Sequence, residues 1–179
     1  TARQTRRQFW RFMAERRVSP HRINTPPSFS RKDGKVTVDF SEFDRAAEYY
    51  FDELNLPHAY TPWHFYCFGW GHPPRKMLGE APYPGDYPYE NVDRSRLREE
   101  YKQVYQSALR QFWNHVSEKG WADRIVLYIS DEPWDHRKDY VVPQMKALCD
   151  MIHEVDPDIR IYRSTWHQQP QWNGYRDIW

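Results

Sequence analysis

The stretch Asp123 to His136 reads D-R-I-V-L-Y-I-S-D-E-P-W-D-H, and its reading decides the fold. Ile125, Val126, Leu127, Tyr128 and Ile129 form a near-continuous apolar run, partly β-branched. Such a run suits a strand buried on both faces, as in a parallel sheet covered by helices. It stops at Ser130. Two adjacent carboxylates follow, Asp131 and Glu132, then Pro133 and Trp134. In parallel α/β architectures the chemistry lies just beyond the carboxyl ends of the strands. Asp131 and Glu132 are therefore the first candidates for it.

Working outward, the segment before this strand predicts a long helix from Val92 to Lys119. Leu97, Tyr101, Val104, Tyr105, Ala108, Leu109, Phe112, Trp113 and Val116 repeat at three and four, and Gly120 ends it. The segment after the strand predicts a helix from Tyr140 to Val155, closed by Pro157. Ile159, Ile161 and Tyr162 then mark a strand that ends at R-S-T-W-H, Arg163 to His167. Upstream, His58 to Phe68 is strand-like and aromatic, although Pro62 sits badly in a central strand. A helix from Ser41, with Phe43, Ala46, Ala47, Tyr50, Phe51 and Leu54 on its apolar face, precedes it. Ser41 and Asp44 suggest a capping box. Val18 to Ile23 is a short strand candidate, and Phe29 to Val38 a polar connection with an Asp33-Gly34 turn. Thr1 to Arg17 places Phe9, Phe12 and Met13 on one side of a basic amphipathic helix. Asp177 to Trp179 is a last strand candidate.

Strands alternating with helices imply a parallel sheet with right-handed crossovers. About four such units are visible, whereas a closed eight-stranded barrel takes about 250 residues. No Gly-rich phosphate loop follows any strand, and aromatic and polar residues follow several. The expectation is a single α/β domain over residues 1–179, a partial (β/α)8 barrel of the TIM type. Its missing elements would come from outside this segment or from another chain. The opening T-A-R-Q-T-R-R-Q-F-W reads as a helix already under way, so any targeting signal is expected to lie outside the segment.

The composition narrows the partners. A formal net charge of +1 over 179 residues gives no general attraction to nucleic acid or anionic membrane. No apolar run approaches a membrane span. Leu, Ile, Val and Phe are scarce, so nine Trp and thirteen Tyr must supply much of the buried area. The two cysteines, Cys67 and Cys149, allow one disulfide but match no metal or redox spacing. The loop from Gly69 to Tyr89, rich in Pro, Gly and Tyr, is long enough to suggest a wall or lid over a site.

Adjacent carboxylates restrict the mechanism. An ordinary retaining glycosidase needs two carboxyl groups about 5 Å apart on opposite sides of the anomeric carbon, which chain neighbours can hardly provide. One of them can instead protonate a leaving oxygen while the other holds a nucleophile supplied by the substrate. The carbonyl oxygen of a 2-acetamido sugar is such a nucleophile. Trp134, Trp63, Tyr66, Trp70 and Trp166 are candidate sugar-stacking platforms, and Tyr128 and His64 complete the binding candidates. His167 lies at another proposed strand end. A metal site from Asp131, Glu132, His136 and His64 lacks compact ligand spacing, so no metal and no cofactor is expected.

The segments Y-I-S-D-E-P-W and D-Y-V-V-P-Q-M-K-A-L-C-D-M-I-H-E-V-D-P resemble the catalytic domain of glycoside hydrolase family 123. The resemblance covers Leu97 to Trp166, and the N-terminal third only in layout. It implies a (β/α) barrel acting as an N-acetyl-β-galactosaminidase by substrate assistance on a glycan. On this resemblance Glu132 matches the acid/base, and Asp131 matches the residue that orients the acetamido group. An extracytoplasmic or secreted location is implied by the resemblance alone. Against it stand a structural reading, in which Asp131 caps a helix and Glu132 and Pro133 fill its first turn, and two functional rivals. These are a non-catalytic carbohydrate-binding barrel domain and a metal-dependent barrel hydrolase.

Overall fold

A computed structural model of the chain describes residues 1–69, 74–133, 139–164, 170 and 173–175. The elements in order are helix α1 (Ala2–Glu15), strands β1 (Ser28–Lys32) and β2 (Lys35–Asp39), and helix α2 (Ser41–Ala47), which runs on as a π-helical turn, Glu48–Glu53. Strands β3 (Ala59–Tyr60) and β4 (Phe68–Gly69) follow, then helix α3 (Glu99–Glu118), strand β5 (Ile125–Asp131), helix α4 (Val141–His153) and strand β6 (Ile161–Ser164).

The apolar run forms β5, and β5 is the centre of the sheet. It pairs in parallel with β3 and β4 and with β6. Thr61 N donates to Val126 O at 3.0 Å and Cys67 N to Ile129 O at 2.8 Å, which seats both short strands along one edge. Between them Pro62 and a 3-10 turn, Trp63–Phe65, interrupt what reads as one aromatic strand. The expected strand at Val18 to Ile23 contributes a single parallel bridge, Arg22 to Tyr60. Parallel neighbours thus follow one another in chain order. Among the described residues the sheet forms no closed barrel.

Helices α3 and α4 supply the layer against β5. Tyr101, Val104, Tyr105, Ala108, Leu109, Phe112 and Val116 are buried along α3, and Val141, Met145, Leu148, Cys149 and Ile152 along α4. They share one core with Ile125, Leu127 and Ile129. At the end of α3, Gly120 takes a φ of 72°, which lets Trp121 N reach back to Val116 O at 2.8 Å. Cys67 and Cys149 are both buried, and no disulfide joins them.

Four local expectations are corrected. Helix α3 begins at Glu99 rather than near Val92, because Asp93 caps Ser95 and Arg94 is drawn into the interior. Residues 28–39 form an antiparallel hairpin, with Asp33 and Gly34 both at positive φ as a type I′ turn requires. The first helix buries Trp10, edge-on against Tyr50 at 5.1 Å, while Phe9 and Phe12 stay about half exposed, at 55% and 52%. Helix α2 has Phe40 at its N-cap without a side-chain cap, and Asp39 just before it accepts Ser41 N at 2.9 Å, a bond that holds its carboxylate below the usual range. Asp44 instead reaches α3, accepting from His115 at 2.6 Å. The last strand candidate, Asp177 to Trp179, lies outside the described residues.

Candidate active site at the end of β5

A β-bulge fixes which face of β5 carries the acid. Tyr128 opposes Tyr162 and Ser130 opposes Arg163, so Ile129 is the extra residue. Regular alternation would place Asp131 on the helix side with Leu127 and Ile129. The bulge puts Ile129 and Ser130 both into the interior and returns Asp131 to the side of Tyr128. The two side chains then meet. The Tyr128 hydroxyl donates to Asp131 Oδ1 at 3.2 Å, and the Ser164 hydroxyl at the end of β6 donates to the same oxygen. Tyr128 Oη and Ser164 Oγ are themselves 3.2 Å apart. One carboxylate oxygen is held by two hydroxyls from adjacent strands.

Glu132 follows directly and ends the strand. Its N–H donates to Ser164 O at 3.1 Å, so pairing with β6 continues through its amide. Its φ is then 42°, in the left-handed region, which costs a non-glycine residue about 1 kcal/mol. A right-handed first helical turn cannot begin there. The helix-cap reading of Asp131 fails on this geometry, since α4 starts only at Val141. Glu132 is partly exposed and Pro133 is buried behind it.

A row of rings lines the face of the sheet that bears Asp131. Tyr60, Tyr128 and Tyr162 have centroids 5.0 to 5.4 Å apart, with Tyr60 and Tyr162 nearly parallel. Tyr66 stands edge-on to Tyr128 at 5.3 Å and stacks on Trp63 at 4.0 Å. Burial pushes the Tyr60 hydroxyl up to about 12, with Tyr162 adding to the shift. Burial likewise raises Tyr66, and the nearby charge of Asp131 raises it further. These phenols are neutral donors at ordinary pH, which is the form Tyr128 needs to bond a carboxylate.

The structure therefore brings Asp131, Glu132, Tyr128, Tyr66 and Trp63 into one continuous set. Tyr66 is buried, at 8% exposure, and offers no open face. Trp63 is 44% exposed, with Tyr66 stacked on its ring and the Arg22 guanidinium 4.3 Å from its centroid. His64 lies beside Trp63 with its ring against Phe29 at 4.7 Å. Trp134, Trp70, Trp166, His136 and His167 fall outside the described residues. Among the described residues no group of three His, Cys, Asp or Glu is gathered as a metal would require. No described helix is long and apolar enough to cross a membrane.

Three contributors escaped the sequence reading: Ser164, Tyr60 and Tyr162. The only available signal was their place on strands, and residue type favoured the Trp and His that follow Ser164.

The described part of the long loop is built into the domain. Arg94, only 4% exposed, donates to Pro88 O at 3.2 Å, to Tyr89 O at 2.9 Å and to Gln144 Oε1 on α4 at 3.4 Å. Tyr83 donates to the same Gln144 oxygen at 3.0 Å. Glu80 accepts the amides of Met77 and Leu78. The segment is thereby fastened to the first turn of α4, the helix that follows the acidic pair.

Paired acids at the end of a central parallel strand, with an aromatic lining beside them, stand where α/β enzymes place their chemistry. A family model described as glycoside hydrolase 123, catalytic domain, matches residues 25–175, most of the chain. The chain belongs to that family. No curated protein matches it.

Proposed function

We propose that the domain removes a terminal 2-acetamido sugar, of the N-acetyl-β-galactosaminide kind, by substrate-assisted hydrolysis with retention. The carrying observation is the grip on Asp131. A carboxylate oxygen fixed by Tyr128 and Ser164 suits a residue that must hold one orientation while a substrate amide turns and gains positive character. Glu132, released from the strand by its left-handed turn, donates the proton to the leaving oxygen and later activates the water that opens the cyclic intermediate. The chain order of the parallel strands and their common edge of aromatic and acidic residues support a partial (β/α) barrel. Further elements from beyond this segment, or from another chain, complete it.

The test uses paired aryl glycosides that differ only at C2. The 2-acetamido substrate should be cleaved, and the 2-hydroxyl analogue, lacking the internal nucleophile, should barely react. A thiazoline mimic of the cyclic intermediate should bind far more tightly than the free sugar. Equal cleavage of both substrates, with a trapped sugar–protein adduct, would place the nucleophile on another carboxylate.

A further inference from the structure

Beside the acidic pair lies an open groove of about 490 Å³ lined by Trp63, His64, Arg75, Lys76 and Met77. It is joined to the site through rings: Trp63 stacks on Tyr66, Tyr66 meets Tyr128, and Tyr128 bonds Asp131. The groove is thus two rings from the carboxylate, the scale of a neighbouring sugar unit. Its surroundings are basic. The Arg22 and Arg75 guanidinium carbons lie 4.3 and 5.4 Å from the Trp63 centroid, and Lys76 is exposed next to them. Among the described residues none of these three cations pairs with a carboxylate.

Hydrolysis of a neutral sugar has no use for cations at this place that, among the described residues, meet no carboxylate. With Tyr66 and Arg22 both against its ring, Trp63 is also poorly open to sugar stacking. We propose that this groove is a subsite for an anionic substituent, a carboxylate or a sulfate ester, on the sugar or aglycone next to the cleaved residue. A guanidinium matches either oxyanion with two parallel N–H donors, and the lysine adds a point charge. The indole edge and the Met77 side chain supply apolar contact for the ring that carries the anion. His64, held below its ordinary pKa by partial burial against Phe29, adds a neutral hydrogen-bonding group for a hydroxyl.

The inference rests on the glycosidase reading, and the experiment separates the two. Three disaccharides with the same terminal 2-acetamido sugar are compared: one neutral, one with a uronate and one with a sulfate ester on the second sugar. The readout is the ratio of kcat/KM for anionic over neutral substrate within each protein, so any general loss cancels. The wild type should favour at least one anionic substrate about tenfold at low salt, as two or three partly exposed charge contacts provide, and the preference should fade at high salt. Which anion is favoured identifies the source. Arg75→Ala with Lys76→Ala should bring the ratio near one, and Lys76→Glu should push it below the wild-type value. A wild-type ratio of one, or an unchanged ratio in both variants, overturns the subsite. If no substrate is cleaved, the glycosidase reading falls, and the subsite is judged by titrating the same disaccharides against the Trp63 indole resonance. Equal affinity for neutral and anionic forms would then dismiss it.

Discussion

Removing the Ser164 hydroxyl should slow the chemical step while leaving substrate binding nearly intact. In the structure Asp131 Oδ1 accepts from Ser164 and from Tyr128, the latter at 3.2 Å. A hydrogen bond to a charged acceptor is worth about 1.5–3 kcal/mol, and in a partly exposed setting water recovers some of it. The lower end applies here, since Asp131 and Ser164 are both partly exposed. At about 1.4 kcal/mol per tenfold, Ser164→Ala should lower kcat roughly tenfold. Tyr128→Phe should do about the same. Because the two hydroxyls also touch each other, the double variant should lose less than the product of the single losses. Ser164→Thr keeps a hydroxyl and should restore much of the rate. Steady-state kinetics on an aryl 2-acetamido glycoside, with a melting curve for each variant, make the measurement. A kcat within twofold of wild type for Ser164→Ala, or a loss confined to KM, would refute the idea that a fixed Asp131 matters to catalysis.

Other outcomes follow from the same geometry. Glu132→Gln should cost about 10² to 10⁴ in rate on poor leaving groups and less on activated aryl glycosides, and equal losses on both would remove its role as the acid. Asp131→Asn should lower kcat while sparing KM; a pure KM effect would make it a binding residue instead. Arg94→Leu leaves the buried Tyr89 carbonyl without its donor and takes one of two donors from Gln144 Oε1, and should cost about 1–3 kcal/mol, seen as a lower denaturation midpoint and faster proteolysis within residues 74–98. Unchanged proteolysis would mean that Arg94 does not fasten the loop. The phenol of Tyr60, raised by burial, contributes stability present below its unfolded value near 10 and lost as pH rises toward about 12. Tyrosinate absorbance should therefore lag behind free tyrosine, and ordinary titration near 10 for every tyrosine would contradict it.

What the chain discloses and what it hides follow from different physics. Strand β5 is legible because five apolar residues in a row leave no surface for water, and α3 and α4 because their apolar spacing matches a helical turn. The position of the acids at the strand end is legible for the same reason. The hairpin β1–β2 is faint because, although Val36 and Val38 alternate with polar neighbours, only Val36 is buried and β1 carries Phe29 as its one apolar residue. The true face of α1 is hidden because three aromatic residues crowd four positions, and only packing against Tyr50 selects Trp10. Ser164 is hidden most deeply. Its meaning depends on the pairing of β5 with β6, a long-range fact that no local window contains.

The bulge at Ile129 also leaves a mark on spacing. In a regular strand a tyrosine and an acid on the same face are separated by one residue, giving Tyr-x-Asp-Glu. Here two residues intervene, Ile129 and Ser130. Strand length before the acids is therefore tied to the bulge. A variant shortened by one residue between Tyr128 and Asp131 would need no bulge to keep Asp131 on the tyrosine side. A variant lengthened by one would keep the carboxylate there only by losing the bulge or forming a second, and would turn it toward the helices if the single bulge stayed. Across sequences of this kind, the count between that tyrosine and the acid pair reports whether the strand is kinked before it reaches them.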